Sequence, residues 1–329
     1  MTLQANIQAA LDGKAKPLGS LGRIEALAVQ LGTIQNTLRP LVNPAVLVFA
    51  GDHGAAPGVS AYPSSVTAAM VGAYLAGGAA VNLFAQQAGA RLLVVDAGVA
   101  ADLPAHPGLV PAKVRPGTRD WRTSPAMTAA ELDQALHAAA AAVDRLAGEG
   151  CTVLALGEMG IGNTASAALL AHKVAGLDLA ALTGRGAGLD DAGLAGKAAA
   201  MASGAARTAV RLPPRDALTE YGGYEIAMLA GAILRAAECR VCVLVDGVIV
   251  TAAAIVAHAM RRDCLTACVF AHRSAEPGHD LMLAHLGAAP LLDLGMRLGE
   301  GTGAALAIPL LRAAAAVLSD MANLRDLVA

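Results

Sequence analysis

Hydrophobic residues along this chain are gathered into short runs, and each run ends in a small polar cluster flanked by glycine. Six runs of this kind occur, at residues 45–50, 92–95, 152–156, 241–245, 266–270 and 291–298. They do not alternate with polar residues, which is typical of strands buried on both faces of a parallel sheet. Ligands of such sheets bind just beyond the carboxyl ends of the strands. We therefore expect a binding site where the polar clusters meet.

The segments between these runs carry apolar residues at helical spacing. Helices are predicted at residues 4–11, 24–35, 64–87, 128–146, 163–174, 193–210, 223–237, 250–261 and 303–321. This alternation predicts an α/β fold with a doubly wound, mostly parallel sheet. We expect residues 41–300 to form a large α/β domain that contains the active-site cleft, and residues 1–40 and 301–329 to form a small helical subdomain.

Charge and hydropathy narrow the classes of function. The net charge is −2, from 24 basic and 26 acidic residues, which gives no reason to expect nucleic acid as a partner. Residues 53–90 contain no Asp, Glu, Lys or Arg, but Pro57, Pro63 and several polar residues interrupt them. They do not resemble the ~20 apolar residues of a membrane span. The first residues are polar and amphipathic rather than signal-like, so we expect a soluble, cytoplasmic protein with no membrane partner.

The five cysteines indicate neither a disulfide framework nor a metal site. Their odd number and scatter argue against disulfides. Cys239 and Cys242, followed by Cys264 and Cys268, resemble a zinc pattern in spacing. However, Cys242 lies in a predicted strand, where an offset of three residues points side chains to opposite faces. We expect free, buried thiols and no metal.

Two glycine-rich loops are suited to phosphate. Residues 157–164 and 184–188 each precede a predicted helix, so backbone amides and a helix N-terminus favour an anion there. Gly160 and Gly186 lie in these loops. The alternative is that the glycines only make tight turns, because neither loop matches a dinucleotide fingerprint or a P-loop. Lys197 follows in the next helix, and by itself it has the pattern of a solvated helix charge.

Two carboxylates at strand ends are candidates for acid–base chemistry. Glu300 lies between glycines with no cation nearby in sequence, and Glu158 has a similar setting. Burial in a closed site raises the pKa of such a carboxyl towards the range of a general base. Two such groups can divide the roles of base and orienting group. The alternative is that each carboxylate only interacts with a helix N-terminus.

Three further polar clusters leave their roles open. Asp246 and Gly247 end the most hydrophobic run, where an aspartate bonds ribose hydroxyls or caps the following turn. Ser274, in the cluster 272–274, is able to donate to a phosphate or carboxylate, but such residues are more often structural. Asp52 and His53 have the residue types of a metal site, but no second ligand pair accompanies them.

Seven segments together resemble the nicotinate-nucleotide:dimethylbenzimidazole phosphoribosyltransferase family. The resemblance runs from about residue 14 to residue 321, and its longest motif is Arg-Leu-Gly-Glu-Gly-Thr-Gly-Ala-Ala-Leu at 297–306. The other segments are Lys16-Pro-Leu-Gly-Ser-Leu-Gly-Arg-Ile-Glu25, Asp52-His-Gly54, Gly157-Glu-Met-Gly160 with Asn163-Thr164, Gly222-Gly-Tyr-Glu225, Asp246-Gly247 and Ser274-Ala-Glu276.

This resemblance implies a Rossmann-like, homodimeric enzyme that makes α-ribazole 5′-phosphate and nicotinate from nicotinate mononucleotide and 5,6-dimethylbenzimidazole, a step in cobalamin synthesis, with no cofactor. Glu300 matches the family's general base, whose action leads to inversion at the anomeric carbon, and Glu158 matches a second active-site carboxylate. The positions that match the mononucleotide site are Gly160, Gly186, Lys197, Gly247 and Ser274, mainly around the phosphate, and Asp246 on the ribose side.

The sequence departs from the family at the base pocket. Well-known members have a Ser and a Gln that contact the benzimidazole, and a local alignment on Pro63 places Tyr62 and Met70 at those positions. The pocket is therefore expected to be bulkier and more apolar. Two alternatives stay open: a ribosyltransferase of the same fold that prefers another base, and a non-catalytic binder of α-ribosides or nicotinate nucleotide.

Overall fold

Six parallel strands form a single sheet in this computed structural model, which describes residues 2–186 and 188–327. The strands are β1 (Pro44–Gly51), β2 (Arg91–Gly98), β3 (Leu109–Pro111), β4 (Val153–Met159), β5 (Cys242–Val245) and β6 (Cys268–Phe270). Their order across the sheet is β3-β2-β1-β4-β5-β6, and each neighbouring pair is parallel. The chain therefore reverses its winding between β1 and β4. In doubly wound folds, ligands bind at such a switch point. This strand order confirms the predicted fold class.

Helices cover both faces of the sheet. The α-helices in the described part of the chain are α1 (Leu3–Asp12), α2 (Arg23–Ile34), α3 (Ser65–Leu75), α4 (Ala80–Gln87), α5 (Ala129–Gly148), α6 (Asn163–Leu170), α7 (Leu179–Leu182), α8 (Asp191–Ala205), α9 (Pro214–Tyr221), α10 (Tyr224–Glu238), α11 (Val248–Met260), α12 (His279–His285), α13 (Thr302–Ser319) and α14 (Leu324–Leu327).

Alternate side chains of each strand enter two separate apolar layers. Val46 and Val48 pack with α1, α2, α3, α4 and α13 on one face. Leu47 and Phe49 pack with α5, α6, α10 and α11 on the other face. Because both faces are covered, the strands carry the uninterrupted apolar runs seen in the sequence.

The helices near the two chain ends pack against each other. Ile7 and Leu31 share an apolar cluster with Ile308 and Leu318, and that cluster continues to the strand residues of the same face. Across the chain ends, Lys14 Nζ donates a hydrogen bond of 2.8 Å to the carbonyl oxygen of Met321. A small subdomain bounded at residues 40 and 301 stays a prediction.

One predicted strand is wrong. Residues 291–298 form no strand and make only an isolated bridge, between Leu292 and His272. Leu294 and Leu298 are exposed, and Gly295 has a left-handed φ of 66° that interrupts extended backbone. The sixth strand is β3, at the opposite edge of the sheet, whose three residues are too short to stand out as an apolar run.

Two predicted helices also differ in extent. The helix expected over residues 64–87 is divided into α3 and α4, because Gly77 adopts a φ of 77° that a continuous helix excludes. The helix expected over residues 163–174 follows the N-cap Gly162 and passes into a π-helical turn at Ala171–Ala175.

Two helical stretches have the length and composition of a membrane span, Ser65–Gln87 and Thr302–Ser319. The first is interrupted by the break between α3 and α4. More than half of the second is buried inside the fold, where Ile308 and Leu311 pack on the sheet layer. A core helix of a globular domain has the same composition, so this feature is weak evidence for a membrane.

Candidate active site

A cleft of about 690 Å³ opens at the carboxyl ends of β4, β5 and β6. The predicted site residues that line it are Glu158, Glu300, Gly160, Gly186, Gly247, Ser274, Tyr62 and Met70. Lys197 and Asp246 lie behind its wall. The cleft therefore brings together residues that are up to 238 positions apart in sequence (62 to 300), as expected for clusters at one edge of a parallel sheet.

Glu300 reaches the end of β4 because two glycines allow the backbones to meet. A Cβ at Gly157 would collide with the carbonyl oxygen of Glu300, and a Cβ at Gly301 would lie 3.1 Å from the Cα of Gly157. Glu300 itself has a left-handed φ of 64°, between Gly299 at 81° and Gly301 at 84°. A non-glycine residue in this conformation costs about 1–3 kcal/mol and is typical of functional turns. The turn brings Glu300 beside the carboxylate of Glu158.

Glu300 is 6% exposed, and the pKa of its carboxyl is raised. Burial is the main cause, the charge of Asp246 adds to it, and the hydroxyl of Tyr74 opposes it. Burial disfavours the ionised form, so this carboxylate is a stronger base than one in water. This environment matches the one predicted for a general base.

Glu158, at the end of β4, has its pKa raised to about 8. Burial is the main cause; a hydrogen bond from Asn163 Nδ2 opposes it, and the negative charges of Glu225, Asp246 and Glu300 add to it. At neutral pH this side chain therefore holds its proton. The cleft contains two carboxyl groups of different character, which is the pattern that separates acid from base.

Asp246 is turned away from the cleft, towards the start of α13. Its carboxylate accepts hydrogen bonds from the backbone amides of Gly301, at 3.1 Å, and Ala304, at 2.9 Å. These amides are the unsatisfied donors of the helix N-terminus, so Asp246 stabilises both the helix and the turn that carries Glu300. The side chain thus caps a helix, although a different helix from the one that follows it in sequence.

Lys197 is buried rather than solvated, so the interpretation of this residue as a surface charge is wrong. It is 1% exposed, and Nζ donates to Thr164 Oγ1 at 2.8 Å and to the carbonyl oxygen of Gly184 at 2.9 Å. Burial lowers its pKa to about 8, against the opposing charge of Glu276. A Cβ at Gly186 would lie 3.6 Å from Nζ, so the ammonium group supports the glycine loop directly.

Two helices, α6 and α11, direct their N-termini at the cleft. Thr164, in the first turn of α6, and Val248, at the start of α11, both belong to its wall. Gly247 is the N-cap of α11, and a Cβ there would come within 3.7–3.8 Å of the Ser274 side chain. Free backbone amides at helix N-termini bind anions, so this end of the cleft is suited to a phosphate.

The opposite wall is apolar and formed largely by α3 and the segment before it. Tyr62, Val66 and Met70 line it, and Ile161 and Leu298 add further apolar surface to the cleft. Tyr62 is half exposed at the rim. This wall has the character of a pocket for a planar, apolar ring.

Several residues of the site were not singled out from the sequence. Asn163 contacts Glu158 and Thr164 contacts Lys197, although the sequence marks both residues only as part of a family motif. Tyr74 and Glu225 had no local signal, because their environment is created by distant segments. Glu225 belongs to the motif at residues 222–225, but nothing in that motif indicates which residue its carboxylate meets.

No metal-binding cluster of three His, Cys, Asp or Glu side chains is found among residues 2–186 and 188–327. Asp52 instead accepts a hydrogen bond of 2.7 Å from the amide of Ala100, and His53 contacts Glu225. The cysteines are all free, and only Cys239 is partly exposed. Burial raises the pKa of the Cys242 thiol to about 12.

Comparisons with known proteins agree with this geometry. A family model described as Phosphoribosyltransferase (DBI_PRT) matches residues 1–327. A nicotinate-nucleotide–dimethylbenzimidazole phosphoribosyltransferase of Aromatoleum aromaticum is 56% identical over 323 residues, which cover 98% of this chain and 94% of the relative. The protein of the same name from Cupriavidus taiwanensis is 54% identical, with coverage of 98% and 93%.

The fold has a close counterpart among solved structures. The crystal structure of CobT from Thermus thermophilus superimposes with a TM-score of 0.95 at 43% identity, and the match covers 99% of this chain and 98% of that one. The sheet and its flanking helices therefore belong to a shared architecture.

Proposed function

The chain belongs to the phosphoribosyltransferase family of its nicotinate-nucleotide–dimethylbenzimidazole relatives, and we propose that it transfers phosphoribosyl from nicotinate mononucleotide to 5,6-dimethylbenzimidazole. The products are α-ribazole 5′-phosphate and nicotinate, as needed to assemble the nucleotide loop of cobalamin. The observation that carries this proposal is the cleft itself: an anion-binding end, an apolar wall and two buried carboxyl groups between them.

Glu300 is the general base of this reaction. It accepts the N–H proton of the benzimidazole while the other ring nitrogen forms a bond to the anomeric carbon of the ribose. The bond from that carbon to the nicotinate nitrogen breaks, and its electron pair neutralises the positive ring. The raised pKa of Glu300 suits it to this proton transfer near neutral pH.

Glu158 has a different role, because its pKa of about 8 keeps it protonated at neutral pH. A neutral carboxyl group beside Glu300 adds no second negative charge, so it leaves Glu300 free to ionise. Asn163 holds the Glu158 side chain in place from the first turn of α6. We therefore assign Glu158 to orienting the reacting groups rather than to removing the proton.

The phosphate of the mononucleotide binds where the glycine loops meet the N-termini of α6 and α11. Gly160, Gly186, Gly247 and Ser274 offer donors or close backbone approach on this side. Lys197 supplies the positive charge on this side. Its described hydrogen-bond partners are neutral oxygens, so a bound phosphate would stabilise its buried ammonium group. Asp246 supports the site through the Glu300 turn.

Positioning and proton transfer are sufficient for this chemistry. The nicotinate nitrogen is positively charged in the substrate, so it leaves without further activation, and a fixed attack geometry lowers the barrier strongly. Attack from the face opposite the leaving group inverts the β-nucleotide to an α-riboside. The two retained carboxylates favour an enzyme over a non-catalytic binder.

Tyr62 and Met70 give one specific reason to consider a different acceptor base. Both residues line the cleft on its apolar wall. A benzimidazole without methyl groups fits such a wall nearly as well as the dimethyl compound, whereas adenine buries ring nitrogens without partners. A benzimidazole-type base is therefore the proposed acceptor class.

The decisive experiment incubates the purified protein with nicotinate mononucleotide and 5,6-dimethylbenzimidazole and analyses the products by NMR. We expect nicotinate and the α-anomer of the riboside phosphate in equal amounts. Release of nicotinate without a riboside, or formation of the β-anomer, would contradict the proposal. The homodimer implied by the resemblance and the cytoplasmic location expected from the sequence are likewise proposals, and sedimentation equilibrium tests the first.

A further inference from the structure

The hydroxyl group of Tyr74 is a buried polar group that the reaction above does not use. Tyr74 is 2% exposed, and within the described part of the chain its Oη makes no hydrogen bond of good geometry. Buried polar side chains almost always have a partner, so an exception at a cleft calls for an explanation.

Tyr74 continues the row of α3 residues that forms the apolar wall. Val66 and Met70 line the cleft four residues apart, and Tyr74 is the next residue in that row, one turn further along the helix. Burial, and then the negative charges of Glu300 and Glu158, raise the pKa of its phenol. The hydroxyl therefore keeps its proton, and it lies near enough to both carboxyl groups for their charges to act on it.

The Tyr74 hydroxyl affects the pKa of the two carboxyl groups unequally. Glu158 already has Asn163 as a donor, whereas Tyr74 is the side chain that lowers the pKa of Glu300. The other titratable groups that act on Glu300 are Asp246, from the turn after β5, and Glu158, from the end of β4. When Asp246 and Glu158 are ionised, their negative charges disfavour the ionised form of Glu300, whereas a hydrogen-bond donor favours that form.

We propose that Tyr74 is a positioning residue that keeps Glu300 in its carboxylate form, by directing a phenol hydrogen bond at that side chain. This inference rests on the proposed role of Glu300 as the base. It assigns a function to a residue on α3 that the motifs of the sequence do not mark, and it gives a role to a buried hydroxyl that lacks a partner among the described residues.

The test is the pH profile of kcat/KM for the Tyr74→Phe variant. Without the phenol, the pKa of Glu300 rises, so the acid limb of the profile is expected to move to higher pH by roughly one unit. The high-pH plateau, where Glu300 is ionised in both proteins, is expected to fall far less than the rate at acidic pH. Replacement of Tyr74 by 3-fluorotyrosine, a more acidic phenol, is expected to move the limb to lower pH.

Two controls separate this inference from its premise. Tyr224→Phe removes another buried tyrosine hydroxyl, on α10, which interacts with Arg119 and Glu131 and does not line the cleft, and this change is expected to leave the limb in place. Glu300→Gln is expected to abolish the acid limb; if it does not, the base assignment fails. If it does, and Tyr74→Phe lowers the rate equally at every pH or Tyr224→Phe moves the limb as much, only the role of Tyr74 is overturned.

Discussion

His53 and Glu225 form a hydrogen-bonded pair, 2.6 Å from Nε2 to Oε1, in which both side chains are fully buried. The other ring nitrogen of His53 lies 3.1 Å from Ser166 Oγ on α6. The pair lies directly beneath the cleft, because a Cβ at Gly160 would come within 3.2 Å of Glu225 Oε1 and within 3.4 Å of the His53 ring. The motifs at residues 52–54 and 222–225, which contain this pair, thus support the loop that follows β4.

Replacement of Glu300 by Gln is expected to lower turnover by about 10²-fold or more, the usual range for loss of a general base. The amide preserves the shape of the side chain, so binding of nicotinate mononucleotide should be largely retained. Steady-state kinetics and isothermal calorimetry measure the two quantities separately.

Asp96→Asn provides a matched control for that variant. Asp96, near the end of β2, is another buried carboxylate whose pKa is raised mainly by burial, but it accepts a hydrogen bond from the amide of Val99 and does not line the cleft. Near-normal turnover in Glu300→Gln would refute the assignment. A low residual rate is compatible with it if Glu158 substitutes as the base.

Replacement of Lys197 by Ala is expected to weaken nicotinate mononucleotide far more than its dephosphorylated riboside. The reason is that Lys197 supplies the positive charge behind the glycine loop at Gly186. Lys173→Ala is the matched control, because Lys173 is another buried lysine whose Nζ donates only to backbone carbonyls, at 2.7 and 2.8 Å. Equal losses of affinity for the two ligands in Lys197→Ala would mean that this lysine is structural.

The glycine-flanked polar clusters could be predicted because their signals are local, although the apolar run before Glu300 does not form a strand. Glu158 and Glu300 each follow an apolar run and are flanked by glycine, and both lie in the cleft. Buried runs without alternation are typical of parallel strands whatever their order in the sheet. The fold class and the edge of the sheet that holds the cleft therefore followed from the pattern of the chain.

The remaining features depend on contacts between distant segments. Lys197 has a helical pattern that fits a surface position, and only the carbonyl oxygen of Gly184 and the hydroxyl of Thr164 reveal its burial. Asp246 meets the amides of α13 more than 50 residues later. Residues 291–298 are apolar like a strand, although the glycine at position 295 has a left-handed φ that no composition reveals.

The pH dependence of stability should report the protonated state of Glu158. Its folded pKa of about 8 lies above the ordinary value of 4.5, so its stabilising contribution is complete below about pH 4.5 and is lost as the pH rises through 8. Between pH 5 and 8, Glu158→Gln should therefore gain thermal stability relative to the parent protein. For the titration of one proton, this gain in the free energy of unfolding is at most about 1.4 kcal/mol per pH unit.

Glu131→Gln is the control with the opposite sign. The hydrogen bond from Arg119 lowers the pKa of Glu131 to about 2, so its contribution is present above about pH 4.5 and is lost only as the pH falls towards 2. Its stability difference from the parent should be flat between pH 5 and 8. A flat difference for Glu158→Gln as well would show that Glu158 is ionised in the folded protein.

Activity is expected to survive both EDTA and mild alkylation. The described residues offer no cluster of three metal-ligating side chains, and burial raises the pKa of the Cys264 thiol to about 11. Iodoacetamide should modify mainly Cys239, which lies at the end of α10 beside Asp144 and outside the cleft. Loss of activity with the chelator, restored by added zinc, would overturn this prediction.

The acceptor base is expected to be chosen broadly among benzimidazoles, because Tyr62 and Met70 give the cleft an apolar wall. An apolar pocket separates bases that differ by a methyl group by only about 1–3 kcal/mol, whereas a pocket that hydrogen-bonds its substrate discriminates far more strongly. Adenine should be the poorer acceptor, since its extra ring nitrogens lose water without gaining partners.

The measurement is a competition among dimethylbenzimidazole, benzimidazole and adenine, in which the α-riboside products are counted. A preference for adenine, or for one benzimidazole by far more than about 10²-fold, would contradict this account of the pocket. The double variant Tyr62→Ser, Met70→Gln introduces the polar residue types that the family resemblance gives for these positions, and it should narrow the preference towards one base.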